Sequence, residues 1–356
     1  VEPFVLKALI AVAPVVICLF VFERLDAFKL VSVGETLVLL GAGATLTVVC
    51  YFANGGVLDE FPVGFDRYAR YVAPIVEETL KGGLIVALFA FNRLGYLIDA
   101  AIAGFAIGAG FAVAENAFYL HEFAKAGLGV WIVRGFGTAL MHGGATAILA
   151  VLSLFLYAPR LRGEVVRFRL NILLFLPGLV AAILIHMAFN HFPEQPLIAM
   201  TVVLAATPLI LFALFALGET QAHRWLAEDS QAHAALLAAM RGHAFDTTPA
   251  GLALTALGQR LGPALARDLN DYVRLNAELV VAAEADLLAI EAHKATERDP
   301  GRREAFGRLH GLERRLGRTV TMAVRQHLRF SRDDLWKMHE LEVHTVGRGG
   351  SSQKRT

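Results

Sequence analysis

Eight polar side chains stand where the surrounding sequence is apolar, and together they could activate water. Glu77, Glu78 and Lys81 fall in the run Pro-Ile-Val-Glu-Glu-Thr-Leu-Lys. Glu115 and Asn116 follow Phe111-Ala-Val-Ala. His142 is single, and Asn190 comes four residues after His186. Charges deep in a membrane helix are costly and mark a functional site by default. No serine or cysteine nucleophile accompanies them. The chain has no Gly-x-Ser-x-Gly elbow, no His-Glu-x-x-His zinc motif, and no pair of membrane aspartates, since Asp99 stands alone. The chemistry is therefore attack by water, activated by a carboxylate or by a metal.

Both versions stay open at this point. Without a metal, a desolvated glutamate has a raised pKa and becomes a better base near neutral pH. Histidine and Asn190 donate to the developing oxyanion, and Lys81, one turn from Glu77, compensates its charge. With a metal, two histidines and a glutamate are an established catalytic zinc set. His142, His186, Glu115 and Glu78 are the candidate ligands, with Glu78 or Glu77 as the base, and zinc brings the pKa of bound water to about 7. The blander alternatives are a Glu77–Lys81 ion pair that holds a bundle together and an Asn116 that bonds a neighbouring helix.

These side chains need elements long enough to carry them through a bilayer, about 20 apolar residues each. Seven stretches qualify: Phe4–Phe22, Val31–Ala53, Tyr71–Phe91, Leu97–Leu120, Gly129–Tyr157, Leu170–Asn190 and Pro196–Gly218. The fifth is overlong, which places Trp131 and Arg134 in the headgroup region. Glu35, Asp99 and Arg134 lie near span ends and read as interfacial snorkelling. The first stretch is too long for a removed signal peptide and lacks its cleavage signal. The connection between spans five and six holds Arg160, Arg162, Arg167 and Arg169. With Arg24, Lys29 and Arg93 that side carries seven basic residues, against Arg67, Arg70 and Lys125 opposite. The positive-inside rule then puts the N-terminus outside and the C-terminal part in the cytoplasm.

In that arrangement the expensive residues share a depth. Counted from the outer span ends, Glu77, Glu78, Glu115, His142 and His186 lie roughly 6–12 Å below the outer surface at about 1.5 Å per residue. Scattered structural polar groups have no reason to share a level. Gly104, Gly108 and Ala112 precede Glu115 at four-residue steps, a small-residue face suited to close helix approach. Gly82, Gly83, Gly143 and Gly144 leave room for a ligand or serve the same packing.

The charge distribution supports two environments. Residues 1–218 hold 27 charged side chains, about 12%, and the remaining 138 residues hold 38, about 28%, close to the ordinary soluble figure of about 25%. The expected organisation is all-α: a transmembrane catalytic domain over 1–218, a cytoplasmic helical domain over 219–346, and a flexible tail over 347–356. The arithmetic excludes a disordered chain, and Cys18 and Cys50 cannot build a disulfide scaffold. A net charge of +1 offers no footprint for nucleic acid.

The four motifs, Glu77-Glu78-Thr-Leu-Lys81, Phe111-x-x-x-Glu115-Asn116, His142 and His186-x-x-x-Asn190, resemble those of PrsW-type intramembrane proteases. That group lies within the wider superfamily of CAAX-prenyl endopeptidases and bacteriocin-processing enzymes, which commonly has His where Glu115 stands. The resemblance covers about residues 70–190. It implies a multi-pass peptidase of the bacterial cytoplasmic membrane whose best-known role is the first cut of a membrane-bound anti-sigma factor on the outer side. Both glutamic and metallopeptidase mechanisms have been assigned to such enzymes, so the resemblance leaves open whether a metal is used.

Beyond residue 218 the resemblance stops. Helices are expected at about Glu219–Arg241, Pro249–Arg260, Pro263–Lys294, Arg302–Arg329 and Arg332–Leu341. Leu265, Leu269, Tyr272, Leu275 and Leu279, and likewise Leu309, Leu312 and Leu316, keep helical spacing and read as a bundle core. His223, His233, His243, His293 and His310 have no ligand spacing. Regulation, substrate delivery and homodimerisation are the candidate roles. Two other functions compete: a seven-span zinc amidase acting on lipid amides, and a non-enzymatic ion or proton pathway. The inner halves of spans three, four and six are nearly all apolar, which counts against a pathway.

Overall fold

The computed structural model of the protein describes residues 4–25, 32–60, 63–161, 170–192, 194–242, 244–291, 301–328 and 330–347. Arg162, Arg167 and Arg169, on which the sidedness argument leans, lie outside them, as do Lys29, His243, His293 and residues 348–356. Among the described residues the fold is all-helical, 91% helix with no strands. By contacts it divides into two units at Gly218, with the segment from Ala158 to Leu161 grouping with the second. Each unit is described by itself.

The first unit contains α1 (Phe4–Leu25), α2 (Val33–Glu60), α3 (Phe65–Arg67), α4 (Ala73–Ala90), α5 (Leu97–Glu122), α6 (Leu128–Val133), α7 (Ala139–Leu161), α8 (Leu176–His191) and the start of α9 (Pro196–Arg241). Among the described residues six helices are long and apolar enough to cross a membrane. The expected third span is not one of them. Its α4 has only 18 residues and carries Glu77, Glu78 and Lys81. The residues that make that stretch chemically useful also make it a poor membrane span when judged alone.

Local chemistry sets the helix ends. Ser32 and Glu35 form a capping box at the start of α2: the Ser32 N–H and hydroxyl both donate to Glu35 Oε2, and Glu35 N–H donates to Ser32 Oγ at 3.1 Å. Asp99 accepts from the Tyr96 N–H at 2.9 Å where α5 begins, and it is buried. Each acid satisfies backbone donors that a helix start leaves open. Asn92, with φ of 57°, ends the α4 chain direction.

Packing distinguishes inner helices from outer ones. Every residue from Asp99 to Ala112 of α5 and from Ala139 to Val151 of α7 is buried. Helices apolar all round belong in the interior. The outer helices show the reverse: Leu37, Val38, Leu184, Val202, Leu209 and Phe212 are largely exposed. So many exposed apolar side chains suit hydrocarbon and not water. Lys7 of α1 is buried and donates to the carbonyls of Ala124 and Ala126.

Small residues decide how closely the inner helices meet. A Cβ on Gly108 would stand 2.1 Å from the His142 carbonyl oxygen, and one on Gly110 would stand 2.1 Å from that of Leu40. So α5 is pressed on one side by α7 and on another by α2. The Gly108 contact fixes the height of α7 at the residue that presents His142.

The second unit takes its part of α9 with α10 (Pro249–Leu261), α11 (Pro263–Glu291), α12 (Gly301–His327) and α13 (Arg332–Gly347). Its core includes Leu269, Tyr272, Leu275 and Leu279 of α11 packed against Leu309, Leu312 and Leu316 of α12. Gly317, at φ 75°, breaks α12. Thr248 caps α10, and Ser331 with Asp334 forms a capping box on α13. His233 is tied into a buried ion cluster despite its lack of sequence spacing: its Nδ1 is 3.0 Å from Glu284, and its Nε2 is 3.7 Å from Asp334. Burial opposes its charge, but those carboxylates outweigh it and hold the His233 pKa above the usual value. The Lys337 ammonium lies 2.8–3.7 Å from Asp229, Glu284, Asp333 and Asp334, so the cluster already contains its cation.

Candidate active site

Five helices and two π-helical turns converge on the polar set. Tyr68–Val72 is π-helical immediately before α4, and Arg134–Thr138 is π-helical immediately before α7. A π-turn inserts an extra residue into a helix and is frequent at functional sites. Here one precedes Glu77 and Glu78, and the other precedes His142. An extra residue rotates the face that the following helix presents, by about 100° in α-helical terms.

Glu78 is fully buried, and its Oε1 accepts from Lys81 Nζ at 2.5 Å and from His186 Nδ1 at 2.9 Å. Lys81 pairs with Glu78, not with Glu77 as the sequence spacing had suggested. Its ammonium also stands 3.0 Å from His142 Nδ1 and 4.7 Å from the centre of the Phe111 ring. The His142 and His186 rings meet edge to face with centroids 4.6 Å apart. His142 Nε2 lies 3.5 Å from Glu115 Oε2. Because Glu78 accepts, His186 carries its proton on Nδ1 and leaves Nε2 with a free lone pair.

Glu115 is partly exposed, with 23% of its side chain open, and it pairs with Arg134 at 3.1 Å. Arg134, read from the sequence as interfacial, is thus held in the polar set by an ion pair. Its Nε donates to Asn116 Oδ1 at 2.8 Å, and its guanidinium lies 3.9 Å over the Tyr119 ring. Trp131, the other residue expected among headgroups, is fully buried against Ala11 and Leu120.

The two asparagines face backbone. Asn190 Nδ2 donates to the Ala69 carbonyl at 2.9 Å, and Asn116 Nδ2 to that of Arg134 at 3.4 Å. Each accepting carbonyl belongs to one of the π-helical turns. Two further residues join the site that the sequence reading did not select. Asn54 donates to Glu77 Oε1 at 3.2 Å, and the Tyr68 hydroxyl donates to Asn54 Oδ1 at 2.9 Å. Asn54 lay just past the expected end of span two at Ala53, whereas α2 continues to Glu60.

A metal fits one part of this constellation. Ligand atoms of Glu77, His142 and His186 lie within 4.8 Å of one another. Three nitrogen and oxygen donors converging in a buried place are the set a catalytic zinc takes, with a further position open. Glu78 and Glu115, also expected as ligands, are held by Lys81 with His186 and by Arg134 respectively.

Residues 33–218 match the family described as PrsW family intramembrane metalloprotease. The chain belongs to the PrsW family. No curated protein and no solved structure shows significant similarity to it. Membership in the PrsW family implies a multi-pass membrane protein with peptidase activity on a membrane-protein substrate. It spans the helices that carry all eight polar residues of the sequence motifs.

Proposed function

We propose that this chain is an intramembrane endopeptidase whose centre is Glu77, His142 and His186, with Glu115 as the general base. The observation that carries this reading is the approach of three ligand atoms from α4, α7 and α8 to within 4.8 Å. Those residues would hold a divalent metal, zinc by its donor chemistry. When bound, the metal supplies Lewis acidity and a more acidic water.

The remaining residues have separate tasks. Glu78 holds His186 through Nδ1, the carboxylate–histidine arrangement that orients a metal-binding ring. Glu115 takes a proton from the attacking water. As oxygen adds to the peptide carbonyl carbon and the C–N bond breaks, the same proton passes to the leaving nitrogen. Arg134 keeps the Glu115 carboxylate in place between these transfers, and Asn116 with Tyr119 fixes the guanidinium. Asn190 is a positioning residue, holding the π-helical turn before Glu77 by its carbonyl. The buried rings of Phe111 and His142 help keep bulk water from the inner side.

In this reading the N-terminus is outside, the second unit is cytoplasmic and a candidate dimerisation domain, and the cut falls near the outer face of the bacterial cytoplasmic membrane. The substrate class is a membrane protein, with an anti-sigma factor as the family's example. A metal-independent reading has one observation in its favour. Lys81 donates to His142 Nδ1, which leaves the Nε2 proton facing Glu115, a pair able to move a proton without a metal.

Reconstitution separates the peptidase from the lipid amidase. Purified protein in vesicles is given a panel of single-span peptides and, separately, ceramide-like amides, with products mapped by mass spectrometry. New peptide termini near one membrane face are expected, with the amides intact. Hydrolysis of the amides alone would overturn the assignment.

A further inference from the structure

The Glu77 carboxylate does not stand free. Its Oε1 accepts from Asn54 Nδ2, and Asn54 Oδ1 accepts from Tyr68, whose side chain is buried. The proton directions are fixed by chemistry. An ionised carboxylate only accepts, so the Asn54 NH₂ must face Glu77 and its carbonyl must face Tyr68. Tyr68 then has one role, as donor. The same π-helical turn that presents Tyr68 is held from α8 by Asn190 at Ala69. A chain of hydrogen bonds thus runs from α8 through the π-helical turn and α2 to Glu77.

We propose that Asn54 and Tyr68 are positioning residues that hold Glu77 in its metal-binding orientation, an inference resting on the metal reading above. The pattern across the site supports it. His186 has Glu78 behind it, a carboxylate that accepts from Nδ1 and orients the ring. Glu77 in turn has Asn54 behind it, donating to Oε1 at 3.2 Å. Outer partners of metal ligands are worth about 10–100-fold in metal affinity. One bond of Glu77 goes to Asn54, and a carboxylate retains further lone pairs for the centre.

The test is cobalt binding to the purified full-length protein, read from its visible absorption, which needs no substrate. Asn54→Ala is expected to weaken Co²⁺ binding about 10–100-fold. Asn54→Asp is expected to weaken it further, because it sets a carboxylate against Glu77. Tyr68→Phe keeps the buried ring and removes the donor, freeing the Asn54 amide to turn, so it should also weaken binding. It carries the test if Asn54→Ala does not fold, as judged by helical circular dichroism. Glu77→Gln should abolish binding. Wild-type affinity in both Asn54→Ala and Tyr68→Phe, with binding lost in Glu77→Gln, overturns the relay and leaves the metal centre standing. Wild-type affinity in Glu77→Gln, or no binding by the wild type, overturns the centre and the relay together.

Discussion

Glu115→Gln is expected to lower peptide hydrolysis by about 10²–10⁴-fold, the usual contribution of a positioned acid–base group, while metal content stays at the wild-type level. The substitution is nearly isosteric and keeps an oxygen facing Arg134 and His142, but it cannot take a proton from water. The retained metal is the informative half. Glu115 was one of the ligands expected from the motifs, and a ligand's loss would empty the site. The structure ties its buried Oε2 to Arg134 at 3.1 Å and leaves 23% of the side chain as a whole open. Turnover by purified variant on a peptide substrate, with metal content measured on the same sample, checks both halves. Loss of metal and activity together would make Glu115 a ligand, and near-normal turnover would remove it from the reaction.

Lys81→Met should cost about 3–5 kcal/mol of stability, the range for breaking a buried ion pair. Neither Lys81 nor Glu78 has exposed side-chain surface, and Oε2 of Glu78 is already without a hydrogen-bond partner. Removing the ammonium leaves an uncompensated buried carboxylate. The comparison that isolates this effect is Lys81→Met with Glu78→Gln. The paired substitution removes both charges and keeps an acceptor for His186, so it should recover most of the lost stability. Unfolding of the purified protein in mixed detergent measures the coupling between the two sites. A single substitution as stable as the wild type would show that the pair is not holding the bundle.

The sequence revealed the site through cost. In an apolar span every charged group is an expense, so Glu77, Glu78, Glu115, His142 and His186 stand out before any geometry is known. What spacing could not resolve is which of two adjacent glutamates faces the donors. Neighbours on a helix point about 100° apart, and the turn that sets the rotation of α4 is a π-helix with no sequence marker. Lys81 could meet either glutamate by spacing, at three residues or at four. Packing against Phe111 and His142 selects Glu78.

The sequence reads Arg134 as interfacial because it lies near a span end, and only the approach of α5 reveals its pairing with Glu115. Asn54 fell outside the expected span because apolar windows stop where α2 does not. In the second unit the leucine stripes disclosed the core. His233 meets Glu284 and Asp334 from residues 51 and 101 positions away, a relation that exists only after folding.

The central claim is that Glu77, His142 and His186 form one metal centre. Its most direct test is elemental analysis of purified wild-type protein, Glu77→Gln, His186→Ala and Glu115→Gln. About one zinc per chain is predicted in the wild type and in Glu115→Gln, as for a single catalytic site, with the metal lost from the other two. Fully active wild-type protein with no metal, or Glu77→Gln protein that keeps its zinc, would contradict the account.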